Sequence, residues 1–239
     1  MKRLMTCLAS LALIAAPLAL AGEATAISTA TNGGRATASA TARGNASSTA
    51  IAGATNGGRA IANSDAVARG RAAANSRAVA VADHGLAISN SRADARSRFG
   101  GSALADSESI AATVGGVSIS NSEAIARGQL FGRAESFSTS TALSNHGVAL
   151  SDSRAVSRGL LGGRAVSVSD SIADTFGGVA ISGVEADSAA GFRAHSFSNG
   201  VGVSVSGPLR TATAKVYAGS RAGALGVSRS NAAVIEIRR

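Results

Sequence analysis

The chain has 239 residues, with 23 Lys and Arg against 14 Asp and Glu, 3% aromatic residues, no Trp and one Cys. So few large apolar side chains exclude a conventional core of Leu, Ile and Phe. One Cys excludes an internal disulfide or a thiolate metal cluster, and no aromatic residues are interleaved with the basic ones to stack single-stranded nucleic acid.

Lys2 and Arg3 precede an almost wholly apolar run, Leu4 to Leu20, that closes on Ala19-Leu20-Ala21. A short positive head, a short apolar stretch and a small-x-small ending describe a secretory signal, not a membrane span. Residues 1–21 are therefore read as a signal peptide with cleavage after Ala21; Ala24-Thr25-Ala26 offers a second site. Cys7 leaves with the leader, and no later Cys can carry a lipid anchor. The exported chain then holds 21 Lys and Arg against 14 Asp and Glu, a net of +7. No later apolar stretch approaches the ~20 residues of a membrane helix. The expected destination is the cell surface or the medium, with the periplasm also open.

Past the leader the chain repeats. Half-repeats begin at Arg71, Leu86, Ser102, Val117, Arg133, Val148, Arg164 and Val179, in steps of 15 and 16, so the full repeat is 31 residues. Thr31 to Ala36 recurs as Thr55 to Ala60, 24 residues on, so the first repeats are shorter. Within each half, Ala and Ser occupy every second position, as in Ala87, Ser89, Ser91, Ala93 and Ala95, or Ala134, Ser136, Ser138, Ser140 and Ala142. A period of two is a strand signature, and the Ser, Thr, Asn and Gly content opposes a helix. The pattern predicts an all-β fold: a two-sheet β-solenoid, or β-roll, with rungs of about 31 residues and a core of small Ala and Ser side chains. Stability would come from many stacked rungs, with buried Ser hydroxyls bonded to backbone or to the Ser above. The solenoid is expected over residues 22–207. Pro208 then opens a C-terminal segment, 208–239, able to act as a cap or as an assembly strand.

Stacking at this period lines up side chains. Asp65, Arg92, Glu123, Arg154 and Glu185 form a column of alternating sign, a structural charge ladder. Arg69, Arg96, Arg127 and Arg158 form a column of one sign, which fits a polyanion-binding surface or splayed, solvated guanidiniums that keep strand edges apart. Ile88, Ile119, Leu150 and Ile181 make an apolar strip. If their parity faces outward, the strip is a candidate lateral interface; if it is reversed, they are buried within the rung. Phe99, Leu130 and Leu161 form a second apolar column, in the loops, that plugs a corner or offers an edge to a partner. His84 and His146 lie two rungs apart, about 9.6 Å by strand spacing, too far to share a metal, and His195 reads as a surface residue. No nucleophile elbow, phosphate-binding glycine loop or metal-ligand spacing is present, so no catalytic residue, metal or cofactor is expected.

The runs Asn63 to Gly70 (NSDAVARG) and Asn121 to Gly128 (NSEAIARG) resemble the head repeats of trimeric autotransporter adhesins. That resemblance implies a β-roll and an adhesive role at the cell surface. The chain departs from it in its 31-residue period, in having no coiled-coil stalk, and in a C-terminus without a barrel anchor. Curlin-like functional amyloid is a second likeness, from which the scarcity of Gln and Asn ladders departs; Gln129 is the only Gln. The sequence thus points to an exported structural or adhesive protein of the surface or matrix, not an enzyme, with a second copy or a polysaccharide as partner and nucleic acid disfavoured. The alternative is a secreted module for a polyanion, such as acidic polysaccharide or lipopolysaccharide, or less favourably for ice, since outward Thr is sparse.

Overall fold

A computed structural model describes residues 22–70, 72–98, 101–129, 131–160, 163–192, 195–207 and 211–238. The leader, Cys7, Arg71, Pro208 and the Phe99, Leu130 and Leu161 column lie outside the described residues. The described chain is all strand and turn. Strands β1 (Glu23–Ala30), β3 (Ala46–Ala54), β5 (Ala72–Asp83), β7 (Ser102–Val114), β9 (Arg133–Asn145), β11 (Arg164–Thr175), β13 (His195–Ser206) and β15 (Val227–Arg238) form one parallel sheet. Strands β2 (Arg35–Arg43), β4 (Arg59–Arg69), β6 (Leu86–Ser97), β8 (Val117–Gly128), β10 (Val148–Gly159), β12 (Val179–Ala190) and β14 (Thr211–Ala222) form the other. The chain crosses between them at every turn, which makes a two-sheet β-solenoid. Half-repeat starts from Leu86 to Val179 are the first residues of β6 to β12.

Residue i sits on residue i+31 through the middle of the molecule: Val117 pairs with Val148, and Val148 with Val179. The first rungs are smaller. Glu23 pairs with Ser47, 24 residues on, and Arg59 with Leu86, 27 on. The last are larger: Val179 pairs with Thr211, 32 on. The segment after Pro208 therefore continues both sheets, as β14 and β15.

Alternation decides which side chains are buried. Ala87, Ala93, Ala124, Ala155 and Ser120 are fully buried, and their strand neighbours are half-buried or exposed except Asp94, Ile125 and Val156, which are buried on the other face. An Ala methyl contributes only ~0.8 kcal/mol on burial, so hydroxyls and backbone carry the rest. The hydroxyls run mostly across the slab, from sheet to sheet. Ser91 donates to the carbonyl oxygen of Ser76, Ser122 to that of Ser107, Ser138 to that of Ser122 and Ser153 to that of Ser138, at 2.7–2.8 Å. A second seam links Ser109 to Ser89, Ser120 to Ser109, Ser140 to Ser120 and Ser151 to Ser140. Thr113 and Ser144, in neighbouring rungs of one sheet at 3.3 Å, are the exception that follows the expected bond to the hydroxyl above.

One edge of the slab turns on a glycine column. The N–H of Val117 donates to the Gly85 carbonyl and that of Val148 to the Gly116 carbonyl, each at 3.0 Å. A Cβ on Gly116 would clash with the Gly85 oxygen, and one on Gly147 with the Gly116 oxygen, so only glycine fits. Beside it, the rings of His84 and His146 lie over Gly115 and Gly177, where a Cβ would come within 3.0 and 2.9 Å of Cδ2.

Candidate functional site: an arginine-lined edge

The opposite edge of the slab gathers positive charge. Arg69, Arg96, Arg127 and Arg158 stack in register near the ends of β4, β6, β8 and β10. All four are exposed. Ala189 interrupts the column, and Arg221 resumes it. The chain then turns the corner into the next strand of the other sheet. There Arg133 and Arg164 pair with each other, and Arg164 with His195. The corners are tight: a Cβ on Gly128 would lie 3.2 Å from Gly132 and 3.4 Å from Arg133 backbone carbons. Arg127 and Arg133 thus flank one corner, and Arg158 and Arg164 the next. Sequence reasoning found the first column only. The second was legible as 31-spaced starts of half-repeats, but placing it beside the first requires the winding of the chain.

Two of these arginines are occupied. Arg96 donates to Asp94 at 2.7 Å, and that hydrogen bond and the carboxylate charge hold Arg96 protonated above the usual guanidinium range. Arg133 donates to Glu135 at 2.6 Å. Arg69, Arg127, Arg158 and Arg164 make no ion pair among the described residues. Like charges at the ~4.8 Å spacing of strands repel, so the row concentrates positive charge along the edge.

The charge ladder occupies the outer face of the even-numbered sheet. Glu123 lies between Arg92 at 3.5 Å and Arg154 at 3.7 Å, and Arg154 reaches Glu185 at 3.1 Å. The ladder begins at Arg92. Asp65 is in register with Arg92, yet no ion pair joins the two among the described residues, and its Oδ1 is buried without a hydrogen-bond partner. A matching pair, Arg77 and Glu108 at 3.1 Å, stands on the other sheet, also 31 residues apart.

Beside the ladder the amides of Asn63, Asn90 and Asn121 form a short ladder of their own, at 2.8 and 2.9 Å. The two columns wall an open groove of about 370 Å³ with the Ser64, Ser91 and Ser122 positions between them. Ile88, Ile119 and Leu150 are half-buried on this outer face, and Ile181 is 39% exposed, so the strip points outward. The odd-numbered sheet carries its own outward column of Ile27, Ile51, Val79, Ile110, Ile172, Val203 and Ile235, broken by Thr141, which sequence reasoning did not single out. No helix among the described residues is long and apolar enough to cross a membrane.

Comparison with protein-family models, with curated proteins and with solved structures returned no match. The functional reading therefore stands on the geometry of this chain.

Proposed function

We propose that the protein is an exported structural or adhesive component of the cell surface or matrix, not an enzyme, and that its arginine edge is the adhesive surface. The observation that carries this reading is the register of Arg69, Arg96, Arg127 and Arg158 on one exposed edge, with Arg127 and Arg158 unpaired. A rigid row of guanidiniums at strand spacing suits a linear acidic polysaccharide, whose carboxylates accept the paired N–H donors of arginine. The solenoid supplies rigidity at little cost in ordering on binding, because the row is already fixed by backbone pairing.

The test is binding of the secreted protein to polygalacturonate over a range of salt. Affinity should fall steeply as salt rises, and the double variant Arg127→Glu/Arg158→Glu should lose most of it without change in far-UV circular dichroism. Binding that ignores both salt and the double substitution overturns the reading. Duplex DNA added as competitor should displace the polysaccharide poorly; efficient displacement would mark the edge as a nucleic-acid surface instead.

A further inference from the structure

The two ends of the solenoid are built differently. At one end the sheets stop at β1 and β2, whose outer backbone groups have no sheet partner among the described residues. An unpaired strand is a template for another chain unless Pro, a bulge or an inward charge blocks it. Neither strand has a Pro, and the inward positions of both, from Ala24 to Ala30 and from Ala36 to Ala42, hold only Ala and Ser. On the β1 side the core is also partly uncovered, whereas the inward Ala residues of β2 are buried. Ala26 and Ala30 are partly exposed, whereas Ala50 and Ala54, their partners one rung on, are 0% and 3% exposed.

The other end differs in charge, not in cover, since every residue of β15 is exposed. In β15 the inward column brings Val234, Glu236 and Arg238 over Gly202, Ser204 and Ser206. The Glu236 carboxylate accepts the backbone N–H of Ala214, in the edge strand β14, at 2.9 Å. Charged residues in core positions and a carboxylate on an edge amide deny this end to a flat incoming strand.

We infer that the exported protein pairs with a second copy of itself through the β1–β2 end, as a closed two-fold dimer, and that growth stops there. Charge selects the arrangement. Gly22 packs against the backbone of Arg43, so the start of β1 and the end of β2 share a corner. A two-fold axis along the strands lays β1 antiparallel on the partner's β2 and sets Glu23 beside the partner's Arg43, twice. A two-fold axis normal to the sheets would instead pair β2 with its own copy and oppose Arg35 and the partner's Arg43. Opposite charges across a strand pair stabilise it and like charges destabilise it, so the first arrangement wins. In it the Ala and Ser columns of the two copies meet, and the exposed Ala methyls of β1 are covered. Head-to-tail stacking fares worse, since it would lay strands of 8 and 9 residues on the 12-residue, charged β14 and β15. Closed two-fold association is self-limiting, unlike a head-to-tail fibre.

The experiment is sedimentation velocity and negative-stain electron microscopy of the protein secreted with its leader removed. A discrete two-copy rod, twice the monomer length, is expected. Glu23→Arg and Arg43→Glu should each weaken the dimer about tenfold or more, and the double variant that exchanges the two charges should restore it. Glu236→Ala should permit longer assemblies. A monomer at all concentrations, fibres of the unmodified protein, or failure of the charge exchange to rescue a folded variant overturns the inference. None of these results bears on polysaccharide binding, which is read through Arg127 and Arg158.

Discussion

Ser122 of β8 donates its hydroxyl to the carbonyl oxygen of Ser107 in β7 at 2.7 Å, and Ser138 of β9 donates to Ser122 in turn. The two sheets are thus sewn by hydroxyls that pass from one to the other up the axis. Ser122→Ala should cost about 0.5–1.5 kcal/mol, the net value of a buried hydrogen bond. Ser122→Val should cost about 1–3 kcal/mol more, since its extra methyls have no space between sheets spaced for Ala and Ser. Urea unfolding of the two variants measures both. A valine variant as stable as the alanine one would mean that the slab is not close-packed.

Substitution at the glycine column should be the most damaging single-methyl change in the molecule. A Cβ on Gly116 would clash with the Gly85 carbonyl oxygen, which accepts the Val117 N–H. Gly116→Ala must break this pairing or part the rungs. Loss of the folded state, or a fall of several kcal/mol, is the expected result by thermal melting, because the backbone cannot move without breaking the ladder on both sides. Ala at Gly53, where the nearest atom to a new Cβ is a Thr29 methyl at 3.9 Å, is the control that should melt close to the parent.

The charge ladder should be extendable. Asp65 stands in register with Arg92 but makes no ion pair with it among the described residues. Asp65→Glu lengthens the side chain by a methylene and should add about 0.2–1 kcal/mol at low salt, with the gain fading as salt screens it. A gain that survives high salt would show that packing, not pairing, was responsible.

Asp170 gives a pH signature. Burial, with no hydrogen bond to Oδ1, pushes its carboxyl above the usual range. The folded state then holds the proton more tightly than the unfolded chain, so this residue destabilises the fold when ionised at neutral pH and ceases to do so as pH falls through its raised value. Asp170→Asn should therefore melt higher than the parent at pH 7, and the difference should close on acidification toward the ordinary carboxylate range. A difference independent of pH would assign the effect to the amide instead.

Much of this was legible in the sequence because a strand alternates with a period of two and a solenoid repeats with a fixed one. The Ala and Ser parity from Ala87 to Ala95 set out the two candidate faces, of which the small one is the buried one, and the 31-residue step named the stacking partner of Arg92 as Glu123. Two features were not visible at that level. The partner of Ser122 is Ser107, 15 residues away in the other sheet, because the hydroxyl reaches across a slab thin enough for small side chains. The ladder's missing first step at Asp65 depends on where its carboxylate lies, with Oδ1 buried and unpartnered, which a column of signs does not record.

The sequence by itself determined the class of fold, the run of small residues on one face and the columns, since backbone period and repeat length leave a strand-forming chain of small residues few other ways to bury them; the structure decided which face of each half-repeat turns inward. Only the tertiary structure decided which columns share an edge. Arg127 and Arg133 are on different half-repeats, and the winding of the chain around the Gly128 corner brings them together. It also distinguished the two ends. Whether an edge is open depends on what crosses it, and the reach of Glu236 to the Ala214 amide is a three-dimensional fact between strands 22 residues apart.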